Sequence, residues 1–473
     1  MKTPLYAFAL LALAGCTVGP DYHGAPNAAP HSLAAGRLAH DPASGLRPAP
    51  AAPWWLGLGD TQLNQLVSLA LAHSPDLAQA QARLRQARAN LSSERASGMP
   101  KVSTDVMMLR MRSPDTSAFG LGSGGGRGPL SLYLAGFDAS WEVDLFGGTR
   151  RAVEAADAQA EGALANLADS QVQLAAEVVQ AYVDLRDQQA RLALVDATLA
   201  VEQQALELTR QRRERGVASQ LQLEQVLTQA QTTEAQRLPL QTGVVQAQDE
   251  LALLCGLEPG ELDARLASPA PLPQVPAQVP LADPAQLLKA RPDVRAAERQ
   301  LAQRTAQIGQ QQAEWFPKLS LTGDLSFSAG DPGHLLRNAN GTWLALPRLT
   351  WNILDFGRVR AGVENAEGSR DEALAHYQAV VLGALKDADL ALARYGHQRQ
   401  NTVLLADVEA SAQRAANLSR QRFDAGTAST LDWLDAERTL FEAQQNHISA
   451  NAELVKDFAA LHKALGMGWA VQG

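Results

Sequence analysis

The chain has 473 residues, a formal net charge of -9 at pH 7 and only 5% aromatic residues. The acidic balance, with no dense run of basic residues, argues against nucleic acid as a partner. Abundant alanine and few aromatic residues favour long, closely packed helices over a bulky globular core.

The first 16 residues have the pattern of a bacterial export signal. Lys2 precedes an apolar run from Leu5 to Leu13, and the segment ends in Ala-Gly-Cys16, which resembles a lipobox. We expect 1–16 to be a lipoprotein signal peptide and Cys16 to carry a covalent lipid, with no other cofactor and no metal. A cysteine at an ordinary cleavage site is the alternative. Cys255 is then the remaining thiol, so a disulfide framework is excluded.

Residues 17–59 are rich in Pro, Ala and Gly and predict an extended N-terminal arm. The next segment, 60–99, is predicted to be helical. Asp60 is the expected N-cap of a helix that ends near Ser74, and a second helix runs from Leu77 to about Ser97.

Two segments, 100–146 and 317–356, have the two-residue period of β-strands. Apolar and polar residues alternate from Tyr133 to Leu145, from Lys318 to Phe327 and from Trp343 to Ile353. Each segment predicts a hairpin with strands of ~10 residues, which is typical of outer-membrane strands. A soluble hairpin with one buried face is the alternative. Because no apolar run is long enough for a spanning helix, any membrane crossing has to be made by strands.

Segments 147–257 and 357–467 have a helical period. The stretch from Ala163 to Arg215 contains neither Gly nor Pro, which corresponds to a rod of ~80 Å. Its apolar residues follow alternating steps of three and four, the pattern of a coiled-coil seam. Gly216 ends the first rod and Gly426 ends the second, so each segment predicts a long antiparallel helical hairpin.

The chain contains an internal tandem duplication. Residues 141–257 align with 351–467 at a constant offset of 210 without a gap, and Pro75-Asp76 matches Pro292-Asp293 at an offset of 217. The remaining segments then follow from the alignment: a linker at 258–290, a helix of the second copy at 291–316 and a C-terminal tail at 468–473.

Four strands per subunit cannot close a barrel, and open strand edges are not tolerated in lipid. Three copies would supply twelve strands, enough for a barrel that encloses a channel. The sequence therefore predicts a mixed, mainly α fold. Four strands per subunit would contribute to a 12-stranded transmembrane β-barrel, and the long antiparallel coiled-coil hairpins would continue it as a hollow helical tube.

Three features together resemble the outer membrane factor family, the TolC-like exit ducts of tripartite efflux pumps. They are the lipobox followed by Thr-Val-Gly-Pro-Asp-Tyr at 17–22, the tandem repeat, and the Gly-Val-Ala-Ser and Gly-Thr-Ala-Ser turns. The resemblance is closest to the lipoprotein branch that serves RND-type pumps. It implies a lipid-anchored homotrimer with a trimeric 12-stranded transmembrane β-barrel in the bacterial outer membrane and a periplasmic α-barrel. This trimer would passively conduct drugs, other toxic compounds or metal ions and would not be an enzyme. Its partners would be a periplasmic adaptor protein, an inner-membrane RND-type transporter and outer-membrane lipid.

The resemblance also implies site residues near the two helical turns. Asp432 and Asp435 lie three residues apart on the returning helix and are expected to line a periplasmic gate as rings of negative charge. Their first-copy counterparts are Gln222 and Gln225. A solvated helix face, with acids favoured by the helix dipole, is one alternative. For Asp432 a simple capping-region acid is another. The adaptor is expected to contact the two tips: Gly216, Val217, Ala218, Ser219, Gly426, Thr427, Ala428 and Ser429.

Some members of the family carry a basic residue at the position of Ala428, where it holds the gate closed. Because that residue is absent here, Arg420 and Arg422 are the expected partners that close the gate. The alternatives for this role, or for the adaptor contact, are Arg212, Arg213 and Arg215 near the first tip.

Two other functions compete with the efflux duct. A TolC-like channel for type I protein secretion would share the fold. A periplasmic adaptor lipoprotein would carry one helical hairpin between the halves of a small β-domain, and the tandem repeat argues against it. We expect cargo specificity to lie mostly in the inner-membrane transporter.

Overall fold

The computed structural model of the chain describes residues 17–31, 53–112, 129–276, 288 and 291–469. The expected signal peptide with Cys16, part of the arm, the first loop between strands and part of the linker lie outside the described residues. The chain divides into two compact units: Met1–Pro26 with Leu84–Ala163 and Ala297–Tyr377, and Asn27–Arg83 with Leu164–Ala296 and Gln378–Gly473.

A four-stranded antiparallel sheet lies in the first unit. Its order is that of the chain, so the two predicted hairpins are joined through the pairing of the second strand with the third. The strands are β1 (Lys101–Met111), β2 (Leu130–Val143), β3 (Lys318–Ala329) and β4 (Gly341–Thr350).

The strand register gives the sheet one apolar face and one face that carries most of its polar side chains. Phe137 lies opposite Leu325, and Leu325 lies opposite Trp343. On the other face, Asp138 lies opposite Asp324. Because side chains alternate along a strand, a slip of one residue would mix the two faces. Strands β1 and β4 are exposed along their whole lengths, so the described chain leaves most of the apolar face uncovered.

The helices reproduce the tandem duplication. The two longest have 67 residues each, and the helices that return from them have 35 residues each. The predicted duplication is therefore confirmed in the element lengths. The helices are α1 (Thr61–His73), α2 (Pro75–Ser97), α3 (Gly148–Glu214), α4 (Gln220–Leu254), α5 (Asp263–Leu266), α6 (Pro292–Ala313), α7 (Arg358–Asp424) and α8 (Thr430–Ala464).

The predicted seam of α3 is buried in the second unit, where Val178, Leu185 and Val195 have no exposed surface. The predicted N-cap of α1 is also confirmed. The Asp60 carboxylate accepts the Leu63 N–H at 3.0 Å and the Tyr182 hydroxyl at 2.8 Å. The carboxylate thus satisfies a free N–H of the first turn and ties α1 to α3.

Among the described helices, none combines the length and the apolar composition that crossing a lipid bilayer would require.

Candidate functional site at the hairpin tips

The two hairpin tips have the same backbone. Gly216 and Gly426 both adopt a left-handed φ of 75°. The Val217 N–H donates to the Arg212 carbonyl and the Thr427 N–H to the Arg422 carbonyl, each at 2.8 Å. This pattern ends a helix on a left-handed glycine, because a residue with a Cβ would be strained there. The prediction that these glycines cap the helices is confirmed.

Each returning helix begins with a capping box, but the two boxes use different side chains. Ser219 and Gln222 exchange hydrogen bonds at the start of α4. At the start of α8 the Asp432 N–H donates to the Ser429 Oγ at 3.1 Å, and one Asp432 oxygen accepts the Ser429 N–H at 2.9 Å. The tip thus needs a side-chain acceptor at this position, and only the second copy supplies it as a charge.

The hydrogen bonds from Ser429, its backbone N–H above all, lower the pKa of the exposed Asp432 carboxyl, and the charge of Arg422 lowers it further. Asp432 is therefore ionised throughout the neutral range. Asp435 lies one turn further along α8 and is exposed, with one oxygen 2.8 Å from Arg438. The structure thus presents both expected gate acids at the surface of the same helix.

The two arginines expected to close the gate have different surroundings. The Arg420 guanidinium lies 4.2 Å from the centre of the Trp433 ring and 3.3 Å from the Asp424 carboxylate. Arg422 acts on Asp432 through its charge, without a direct contact. Within the described residues, neither arginine forms an ion pair with Asp432 or Asp435.

An aromatic cluster that the sequence reasoning missed joins the two hairpins just behind the tips. Phe423 stacks on Trp433 with ring centres 5.1 Å apart. The Arg212 guanidinium, from the first hairpin, lies 5.1 Å from the Phe423 ring and donates to the Thr430 hydroxyl at 3.3 Å. A comparison of the repeats contains a signal for this cluster, because the counterparts of Phe423 and Trp433 are Arg213 and Leu223.

The two tips present different surfaces. Val217 and Leu221 of the first hairpin are exposed, and so are Arg213 and Arg215. The described residues offer neither arginine a carboxylate partner. The second tip exposes Thr427 in place of Val217. The first tip is therefore the more apolar and the more basic of the two.

The described residues contain no group of three or more His, Cys, Asp or Glu side chains arranged to hold a metal ion.

Comparison with known proteins identifies the family. The profile described as outer membrane efflux protein matches residues 66–257 and 284–467. The toluene efflux pump outer membrane protein TtgF of Pseudomonas putida is 32% identical over 477 aligned positions, covering 99% of this chain and 98% of its own.

Solved structures agree with the sequence relatives. The outer-membrane channel OprN is 35% identical and superimposes with a TM-score of 0.82, covering 96% of this chain and all of its own. The open state of the MtrE outer membrane channel of Neisseria gonorrhoeae is 25% identical, with a TM-score of 0.81, covering 96% and 98%. The expected fold class is confirmed, and the two profile matches fall on the two repeats. The chain therefore belongs to the outer membrane efflux protein family.

Proposed function

We propose that the chain is the outer-membrane exit duct of a tripartite efflux pump. It conducts small molecules passively from an inner-membrane RND-type transporter and a periplasmic adaptor to the exterior. The named relatives support this role, since they include an efflux pump outer membrane protein and outer-membrane channels. The duct has no catalytic task, because the transporter supplies the energy.

The exposed apolar face of the sheet carries the proposal. Trp343 is 77% exposed on that face, and its neighbours across the strands are also apolar. A soluble subunit rarely leaves such a face in water, whereas a lipid bilayer covers it at no cost. Four strands leave two open edges, so the sheet needs identical partners to satisfy its backbone in lipid. Three subunits complete a 12-stranded barrel.

The partners follow from the same arrangement. The tips at residues 216–219 and 426–429 would meet the periplasmic adaptor, and Cys16 would carry a covalent lipid in the outer membrane. Asp432 and Asp435 would line the periplasmic gate, where a homotrimer repeats each carboxylate three times and favours cations. Arg420 would stabilise α8 through its contact with Trp433, and the charge of Arg422 would help to keep the pKa of Asp432 low.

Two neighbouring residues of β4 test the orientation of the sheet. Trp343→Arg places a charge on the face assigned to lipid, which costs about 2–4 kcal/mol near the middle of a bilayer. Leu344→Arg places the same charge on the opposite face, which is assigned to the water-filled channel. We expect Trp343→Arg to reduce the amount of heat-stable trimer in outer-membrane fractions several-fold, and Leu344→Arg to leave it near the parent level.

Conductance in planar bilayers provides the second measurement. The Leu344→Arg trimer should form channels with a lower preference for cations. Equal losses of trimer for both variants would contradict the assignment of the two faces, and a purified trimer without conductance would contradict the duct itself.

A further inference from the structure

The segment that follows the expected lipid site is docked on the first unit. We call Thr17–Tyr22 the N-terminal strap. The Val18 N–H donates to the Phe146 carbonyl at 3.1 Å, just beyond the end of β2. The strap therefore begins next to the short connection between β2 and α3.

A buried arginine of α3 holds the strap. The Arg151 side chain is only 4% exposed and donates to three points of the strap. Its Nε lies 3.0 Å from the Val18 carbonyl, and one terminal nitrogen lies 3.1 Å from the Gly19 carbonyl and 2.6 Å from the Asp21 carboxylate. The other terminal nitrogen donates to Glu154 at 2.7 Å. Most of the hydrogen-bonding capacity of this guanidinium is therefore used on the strap.

Two glycines allow the strap to approach the helix. Gly19 adopts a left-handed φ of 94°, and a Cβ on it would lie 2.3 Å from the Gly309 Cα of α6. A Cβ on Gly309 would lie 2.8 Å from the Val18 carbonyl oxygen. The backbones of the strap and α6 therefore approach so closely that neither position has room for a side chain.

The far end of the strap is held by a second polar contact. The Tyr22 hydroxyl donates to Glu298 at 2.6 Å, and Arg299 lies 5.8 Å from the Tyr22 ring centre. Arg299 also donates to Glu161 of α3 at 2.7 Å. The strap thus contacts helices of both repeats.

The docking residues are where the two repeats differ. The counterpart of Arg151 in the second copy is Ala361, which is exposed. In α6 the docking residues Gly309, Glu298 and Arg299 correspond to Ser92, Gln81 and Ala82 of the first copy. A duplicated chain has one N-terminus, and the residues that receive it are present in one copy only. The site is therefore built for the strap rather than inherited from the repeat.

We propose that this site is a binding site for the chain's own strap. It fixes the start of the mature chain next to the end of β2, so that a lipid on the residue before Thr17 enters the bilayer beside the strands. The inference rests on the duct and the lipid proposed above. We call the contacts of Arg151 with the strap the clamp. Through the clamp, the lipid would position the barrel in the membrane in addition to anchoring the chain.

A double-mutant experiment distinguishes positioning of the lipid from stabilisation of the first unit by the strap. Arg151→Ala and Cys16→Ala are made singly and together in the full chain, and heat-stable trimer is measured in outer-membrane fractions. We expect Arg151→Ala to reduce the trimer several-fold when Cys16 is present and to have no further effect in the Cys16→Ala background. Equal fold losses in both backgrounds, or no loss in either, would overturn the proposal.

Gly19→Ala provides a second variant that leaves the buried arginine in place. The added Cβ should displace the strap, accelerate hydrogen exchange at the Val18 amide and reproduce the loss of trimer. Faster exchange with the parent amount of trimer would refute the positioning role.

Arg360→Ala is the matched control, since Arg360 lies beside the counterpart position and, within the described part of the chain, pairs only with Glu364 of its own helix. It should leave the trimer unchanged. Mass spectrometry of the mature N-terminus and conductance of the parent trimer test the lipid and the duct separately from the clamp.

Discussion

The two helical hairpins share a backbone and differ in their interiors. Their helices have equal lengths, and their tips have the same glycine φ. Inside the first hairpin, the side chain of Glu202 is buried, and one of its oxygens accepts hydrogen bonds from Gln229 and Thr233, each at 3.0 Å. Its other oxygen has no partner among the described residues. The counterpart of Glu202 is Ala412, which packs in an apolar cluster with Ala416, Leu440 and Ala443.

The comparison shows which features set the hairpin and which are free to change. Both copies keep the tip glycine and the serine cap. The apolar seam of α3 is kept only in part, because its Leu192 and Leu199 correspond to Thr402 and Glu409 of α7. Among the described residues, the first hairpin carries two buried carboxyls, Asp187 and Glu202, and the second hairpin carries the Phe423–Trp433 stack. One backbone therefore carries two different chemistries, which a duplicated gene can acquire without altering the barrel geometry.

The largest expected effect concerns the aromatic cluster. Trp433 is 1% exposed, stacks on Phe423 and donates its indole N–H to Glu437 at 2.8 Å. Trp433→Ala should lower the local opening free energy of the tip by about 3–5 kcal/mol, measured by hydrogen exchange of amides in α8. The counterpart Leu223 is only half-buried, so Leu223→Ala should cost clearly less.

Trp433→Phe is the control for the tryptophan. It keeps an aromatic ring that can contact Phe423 and Arg420 and loses the bond to Glu437 and part of the buried ring surface, so most of the stability should remain. If the alanine variants at 433 and 223 lose equal amounts, the two tips do not differ as the cluster indicates.

The second effect concerns the buried carboxyl. Burial raises the pKa of Glu202, and the hydrogen bonds from Gln229 and Thr233 oppose this only in part. The Glu202 carboxyl therefore ionises at a lower pH in the unfolded chain than in the folded one. Raising the pH through the interval between the two pKa values lowers the free energy of unfolding. Glu202→Gln should remove the part of this pH dependence that comes from Glu202 and leave the part that comes from Asp187, whose pKa burial also raises. The measurement is the protection factor of the α3 and α4 amides, corrected for intrinsic exchange, at several pH values.

The reciprocal substitution transfers the buried carboxyl to the second hairpin. Ala412→Glu places a carboxyl among alanine and leucine side chains that offer it no hydrogen bond. It should destabilise α7 and α8 by about 1–3 kcal/mol. It should also make their opening free energies, obtained from protection factors corrected for intrinsic exchange, fall as the pH rises. If Ala412→Glu is tolerated without a pH effect, the interiors of the two hairpins are less different than their packing indicates.

Much of the fold could be predicted because its signals are local. The cap at Asp60, the turn at Gly216 and the alternation in β3 each depend on residues a few positions apart. The strap and the tip cluster depend on contacts across long sequence separations, such as the 130 residues between Arg151 and Asp21. No periodicity records such a contact. Substitutions between the repeats do mark it, because each copy is the reference for the other.

The candidate gate was predicted only in part from the local sequence. The spacing of Asp432 and Asp435 predicted that they share a helix face, but not that Asp432 completes a capping box. In the first copy Gln222 makes the same bonds without a charge. The charge and the cap are thus separate properties of one side chain.

The smallest expected effect separates those two properties. Asp432→Gln introduces the side chain that already completes the first box, so hydrogen exchange at the tip should remain at the parent rate. Only the charge is lost, and the cation preference of the channel in planar bilayers should fall. Gln222→Asp adds a carboxylate at the other tip and should raise the cation preference if that position also faces the pore. An unchanged preference after Asp432→Gln would show that the carboxylate serves as a cap alone, whereas Asp432→Ala would disturb both properties and could not distinguish them.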